Sequence, residues 1–329
     1  GKGNRPGTHH QGISGGNMNR STQIFAVSTL AAALAACGGS GGGSSTGTTG
    51  NVSVGLTDAP TLDLSSVNIA FTAIRLKPAE GEWIEFPLDN PGMLNLLDLQ
   101  GGVAEPLITD EEVPAGPYTE IRLLIDNDSS FVTRESTGDA TYTLAVPSGE
   151  QSGLKLKGDF EITADATTSY TIDFDVRKSI LDPQGPALGD YMLKPVLRLV
   201  RNDNVGTIEG TVDYAAINSA RFDSAELADC SYEGSVYVYE GADVTPVDLN
   251  VNRDEGVTNP LMVLPVTAQE SGSLYEWIAA FVPEGDYTVS YSCQTDDNEI
   301  DEALEFDGTQ NVTVIAGETT TAEPIPLQP

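Results

Sequence analysis

Tyr170, Ile172, Phe174 and Val176 alternate with Thr171, Asp173, Asp175 and Arg177, and this two-residue period constrains the fold more than any other feature. Successive side chains of an extended strand point to opposite faces, so apolar/polar alternation describes a strand with one face buried. The pattern recurs where Ile121, Leu123 and Ile125 alternate with Glu120 and Arg122, and where Leu154 and Leu156 alternate with Lys155 and Lys157. Asn51 to Thr57 reads as a strand ending in the Asp58-Ala59-Pro60 turn, Val67 to Lys77 as a long strand, and Trp83 to Phe86 as a short one. Leu94 to Leu99 is predicted as a helical turn or a short strand. Met192 to Val200 is apolar on both faces and is predicted to be central. Further strands are expected at Val205–Val212, Ser235–Glu240, Trp277–Val282, Tyr287–Tyr291, Asn311–Ile315 and near Thr321. Short strands punctuated by Gly, Pro and Asp turns give an all-β chain, divided into β-sandwich domains at 51–203 and 204–329.

The N-terminal part is organised differently. Residues 1–17 are a Gly-rich upstream extension, and Met18 opens a new pattern in which Arg20 precedes an apolar run from Ile24 to Ala36. A basic start, a short apolar core and small residues at its end define a secretory signal peptide, here 18–36. The run is shorter than the roughly 20 apolar residues a membrane span needs. Leu34-Ala35-Ala36-Cys37 resembles the lipobox of bacterial lipoproteins. That resemblance implies diacylglycerol on the Cys37 sulfur, cleavage before it and a membrane anchor. Gly38 rather than Asp after the cysteine implies the outer membrane of a Gram-negative bacterium. Residues 37–50 are then the lipidated cysteine and a Gly/Ser-rich linker, read from composition as a flexible coil.

Charge and missing residue types narrow the function. After Cys37 there are 49 acidic residues against 13 basic ones, a net charge of −36. Such a surface is soluble and self-repelling; it argues against nucleic acid, whose phosphates must be neutralised by basic groups, and against adhesion to anionic lipid headgroups by overall charge. Both histidines, His9 and His10, precede the signal peptide. The remainder therefore has no Ser-His-Asp or Cys-His catalysis and none of the usual zinc sites. No phosphate-binding or dinucleotide fingerprint is present. What remains is carboxylate chemistry or oxygen-ligand metals, and the chain is expected to be non-enzymatic, with no cofactor beyond a candidate calcium ion.

The candidate sites follow. With Cys37 committed to lipid, Cys230 and Cys293 are left as one disulfide pair in an exported protein. Calcium takes six to eight oxygen ligands, and the densest acidic run is Asp296, Asp297, Asn298, Glu299 and Asp301. It lacks the EF-hand spacing, and a hydrated loop is the plain alternative. Asp173 and Asp175 share the outer face of their strand, with Lys155 and Lys157 as cross-strand partners. Asp58 is expected to cap its turn through its side chain. Tyr237 and Tyr239 lie on one face of a strand and Val236 and Val238 on the other. If the valines are core, the tyrosines form an exposed ligand face for a glycan or peptide.

Asn51–Pro60, Val67–Pro78, the Val113-Pro-Ala-Gly-Pro-Tyr118-Thr-Glu-Ile-Arg122 segment, Val146–Gly149 and Gly189–Pro195 together resemble the bacterial domain of unknown function numbered 4382. That family implies secreted proteins and lipoproteins and brings no activity. The second half, with its glycine-flanked first strand, Pro283-Glu284-Gly285-Asp286-Tyr287 and a closing strand with a Gly turn, resembles the carboxypeptidase regulatory-like (transthyretin-like) sandwich. The two resemblances imply prealbumin- or immunoglobulin-like sandwiches. Val113 to Tyr118 also echoes Val282 to Tyr287, by common descent or by convergence on one good turn. The expected role is a lipid-anchored envelope protein that binds or scaffolds, with an unnamed protein or glycan partner. The alternatives are a glycan- or peptide-binding module and, less favoured, a carboxylate-based hydrolase.

Overall fold

The computed structural model describes residues 47–59, 64–88, 93–147, 152–182, 191–268 and 274–329. The expected signal peptide, Cys37 and the expected linker as far as residue 46 lie outside the described residues. From Thr46 onward the chain is one compact unit.

Its strands run β1 (Thr49–Ala59), β2 (Leu64–Pro78), β3 (Ile84–Pro87), β4 (Met93–Asn95), β5 (Glu105–Pro114) and β6 (Gly116–Arg134). They continue as β7 (Ala140–Ala145), β8 (Leu154–Ile162), β9 (Thr167–Asp175), β10 (Ile180–Leu181), β11 (Tyr191–Leu193) and β12 (Leu197–Arg201). The second half holds β13 (Val205–Val212), β14 (Ser235–Glu240), β15 (Met262–Pro265), β16 (Thr267–Ala268), β17 (Tyr275–Pro283), β18 (Gly285–Ser292), β19 (Asp307–Val314) and β20 (Thr319–Thr321). Among the described residues two α-helices interrupt them, α1 (Val176–Ser179) and α2 (Tyr214–Phe222).

The strands form two sandwiches, as the alternation requires. In the first, a sheet ordered β12-β9-β1-β5 faces an eight-stranded sheet built on β7, β6 and β2, with β8 on β6. In the second, β16-β17-β13-β20 faces β15-β14-β18-β19. Each has its own apolar core, around Phe71, Ile121 and Phe174 in the first and Ile208, Trp277 and Val289 in the second.

The two sandwiches repeat one topology. The opening strand, β1 or β13, pairs antiparallel with β5 or β17 and parallel with β9 or β20. The strand that follows the Pro-x-Gly-x-Tyr turn, β6 or β18, pairs with β2 or β14 on one side and β8 or β19 on the other. The turns match in atomic detail. Tyr118 Oη donates to Pro114 O at 2.7 Å, and Tyr287 Oη donates to Pro283 O at 2.7 Å. Gly50 pairs with Val113 and Gly206 with Val282. A Cβ on Gly50 would lie 2.1 Å from Thr163 O, and one on Gly206 would lie 2.4 Å from Ile315 O. Neither glycine can carry a side chain, because the backbone that closes each sandwich crosses directly over it.

Two expected features differ. Met192–Val200 is not one central strand. It splits around Pro195 into β11, in the larger sheet, and β12, at the edge of the other, because the residue before a proline is held extended and proline donates no ladder bond. The strand through Tyr170 stops at Asp175, which caps α1 by accepting from Lys178 N at 3.1 Å. Asp58 also reaches beyond its own turn, whose residues 60–63 lie outside the described residues: its Oδ1 accepts from Val176 N at 3.1 Å, 118 residues away.

Candidate functional site

From Tyr170 to Asp175 both faces of β9 are buried. The polar face that alternation assigns to solvent instead packs on the second sandwich, so Asp173 and Asp175 are not outward and Lys155 and Lys157 are not their partners. Asp173 pairs with Arg198, whose Nη2 is 2.6 Å from Oδ2. Asp175 lies 3.7 Å from Lys178. Burial pushes the Asp175 carboxyl up to about 6, with the neighbouring Asp173 charge raising it and Lys178 opposing.

The same cations cross the seam. Arg198 Nη1 donates to Phe281 O at 3.1 Å, and Lys178 Nζ donates to Leu261 O at 2.8 Å. Arg177, 3 % exposed, lies 3.8 Å from Asp296, and its carbonyl accepts from Asn298 Nδ2 at 2.7 Å. The second sandwich explains why the cations come from the first. Residues 204–329 hold 24 acidic residues, no lysine and two arginines. Both arginines are used internally, Arg221 on Glu305 and Asp307, and Arg253 on Asp248 and Asp301.

The acidic run is divided among different partners. Asp296 turns inward, accepting from Tyr237 Oη at 2.7 Å and from Leu249 N at 3.1 Å. Burial raises its carboxyl, against the pull of those two donors and of Arg177. Asp301 faces Arg253 and Asn250, whose hydrogen bonds hold it below the usual carboxylate range. Asp297 accepts from Glu299 N at 3.0 Å. Burial, then Asp182 and Asp297, raises Glu299. Among the described residues no three acidic side chains converge as a metal-binding group.

Tyr237 and Tyr239 are not an exposed face either. Both are fully buried, as are Val236 and Val238. The valines point into the main core, while the tyrosines pack with Leu249, Val263, Leu304 and Phe306 under the long loops that cover the sheet. Tyr239 Oη donates to Val247 O, and burial holds both phenols well above their ordinary range. Cys230 and Cys293 form the expected disulfide, with Cα atoms 5.0 Å apart. It ties the segment after α2 to the end of β18, next to the acidic run.

Two clefts open along the seam. One, of about 330 Å³, lies between Ile180, Asp182 and Tyr191 of the first sandwich and Thr295 to Glu299 of the second. The other, of about 240 Å³, is walled by Asp58, Asp173 and Glu276 with Leu264, Ile278 and Phe281. Sequence reasoning missed Arg177, Lys178 and Arg198, and the absence of lysine after residue 203 was the signal that could have found them.

Residues 49–195 match the family described as "Domain of unknown function (DUF4382)". The matched stretch covers most of the first sandwich. The match starts with β1 and stops two residues before β12, so it takes in Arg177 and Lys178 and leaves out Arg198. No curated protein matches the chain. Among solved structures, a leucine-rich repeat protein from Bacteroides thetaiotaomicron is 13 % identical with a TM-score of 0.21, over 85 % of this chain and 26 % of its own. This chain thus spans about a quarter of that protein. GBS52, the minor pilin of Streptococcus agalactiae, is 9 % identical with a TM-score of 0.17, over 83 % of this chain and 94 % of its own. The TIE protein of Bacillus anthracis is 8 % identical with a TM-score of 0.18, over 84 % and 50 %.

Proposed function

We propose that this is a lipid-anchored, non-enzymatic protein of the bacterial outer membrane, in which a DUF4382 domain and a carboxypeptidase regulatory-like sandwich form one rigid binding or scaffolding unit. The seam carries this reading. Three cations of the first sandwich, Arg177, Lys178 and Arg198, are committed to the second, so the two modules present their loops in a fixed relation. The Leu34-Ala35-Ala36-Cys37 sequence supports the anchor, and the lack of histidine after residue 10 supports a role without acid–base catalysis by imidazole. Mass spectrometry of chain extracted from membranes, with Cys37→Ala as the control, tests the anchor. A second reading, capture of a peptide or glycan, draws on the cleft at Thr295–Glu299 rather than on the buried Tyr237 and Tyr239.

A further inference from the structure

Five of the 13 basic residues that follow Cys37 lie together on the outer face of the larger sheet of the DUF4382 domain. Arg75 of β2 stands opposite Arg122 of β6, which stands opposite Lys155 of β8. In the next row Lys77 and Lys157 flank Glu120. Three like charges abreast across three strands destabilise a sheet, and the acidic answer is incomplete. Arg75 pairs with Glu85, and Arg122 Nε lies 2.8 Å from Glu120. Lys155 and Lys157 are exposed and have no ion-pair partner among the described residues. Trp83, one of two tryptophans in the chain, lies against the Arg122 guanidinium, 4.3 Å from ring centroid to Cζ.

We propose that this face docks on the anionic phosphate headgroups of a phospholipid membrane. The inference rests on the reading that Cys37 carries lipid, and the position of the tether favours a membrane over other polyanions. The described chain enters at the same end of the sandwich, where Ala115 N donates to Thr48 O at 2.9 Å. The Lys77–Glu120–Lys157 row lies four residues along β6 from Gly116, about 13 Å at roughly 3.3 Å per residue, and stacked sheets are about 10 Å apart. A Gly/Ser coil over 38–48 spans roughly 20 Å, so an anchor at Cys37 brings this row within reach of the headgroups. Trp83 adds a ring suited to the apolar–polar boundary of a bilayer. The acids of the second sandwich do not cancel the contact, because at physiological salt charges are screened over about 8 Å. Glu80 and Glu82 in the β2–β3 turn and Asp159 and Glu161 of β8 rim the patch, so docking is expected to be weak and sensitive to salt.

The test is co-sedimentation of the full-length, unacylated chain with vesicles of phosphatidylcholine alone or with about one third phosphatidylglycerol. The expected result is extra binding to the phosphatidylglycerol vesicles that disappears in high salt. Lys155→Gln/Lys157→Gln should reduce this extra binding on the order of tenfold. Both lysines are exposed, and any contribution from the apolar 24–36 segment is the same on both vesicles and in both proteins. Equal binding to the two vesicle types, or a phosphatidylglycerol increment untouched by the double variant, overturns the proposal. Retention on polygalacturonate that needs Lys155 and Lys157, without retention on vesicles, overturns the membrane assignment. Intact mass separates this result from the anchor. Acyl mass without headgroup preference leaves the anchor and removes the docking face, and headgroup preference without acyl mass does the reverse.

Discussion

Asp175→Asn should stabilise the protein, and by an amount that grows with pH. Asp175 sits at the end of β9, buried in the seam, and its carboxyl is raised from 3.8 to about 6 by burial. A folded-state value above the unfolded one means that the native chain keeps a proton the unfolded chain has released. Below about pH 4 both states are protonated and nothing is lost. Stability then falls as pH rises towards 6, at about 1.4 kcal/mol per unit, reaching a loss of about 3 kcal/mol above it. Asparagine mimics the protonated form and still accepts the Lys178 N–H, because Asn caps a helix as well as Asp does. Urea unfolding of the variant and the native chain at steps from pH 4 to 8, followed by tryptophan fluorescence, measures the difference, and the other titrating groups cancel. The expected result is near-equality at pH 4 and a gap of up to about 3 kcal/mol in favour of the variant at pH 8. A gap that does not widen with pH, or a variant less stable at pH 8, refutes the argument that burial outweighs the attraction of Lys178.

Two further predictions concern the second sandwich. Tyr237→Phe leaves the buried Asp296 with Leu249 N as its one remaining hydrogen-bond donor among the described residues, and should cost about 1–3 kcal/mol in urea unfolding. The cost should be larger at neutral than at acid pH, since the lost donor serves the ionised carboxyl. Gly206→Ala places a methyl 2.4 Å from Ile315 O and 2.8 Å from Glu318 O, and Gly50→Ala does the same against Thr163 O in the twin domain. Each should lower stability by about 1–3 kcal/mol through overpacking, and an unchanged melting temperature for both would refute the equivalence of the two opening strands.

Much of the fold was legible because a half-buried strand advertises itself. The alternation around Ile121, Leu154 and Tyr170 fixed which residues face the core, and the repeated Pro-x-Gly-x-Tyr segment marked the matching turn in each sandwich. The Cys230–Cys293 bond was legible because reading Cys37 as the lipid-bearing residue leaves one pairing. What alternation does not carry is the identity of the neighbour on the polar side. Asp173 and Asp175 look the same whether that side meets water or a second domain, and only the lysine-free composition after residue 203 hinted that cations would be drawn across. Tyr237 and Tyr239 misled for a related reason. A strand covered on its outer face by long loops has two buried faces, and two of the covering residues, Leu304 and Phe306, lie far from it in sequence. The acidic run was read as one cluster because its members are adjacent in the chain, whereas Asp296 turns into the core and Asp301 turns to Arg253.

The functional reading depends most directly on the anchor. Intact-mass measurement of the chain extracted from membranes of the cell that makes it should show a polypeptide beginning at Cys37 with the added mass of acyl chains. The Cys37→Ala variant should be missing from the membrane fraction or retained as unprocessed precursor. A mature chain that begins elsewhere without acyl mass, or membrane retention unchanged by Cys37→Ala, would contradict the account.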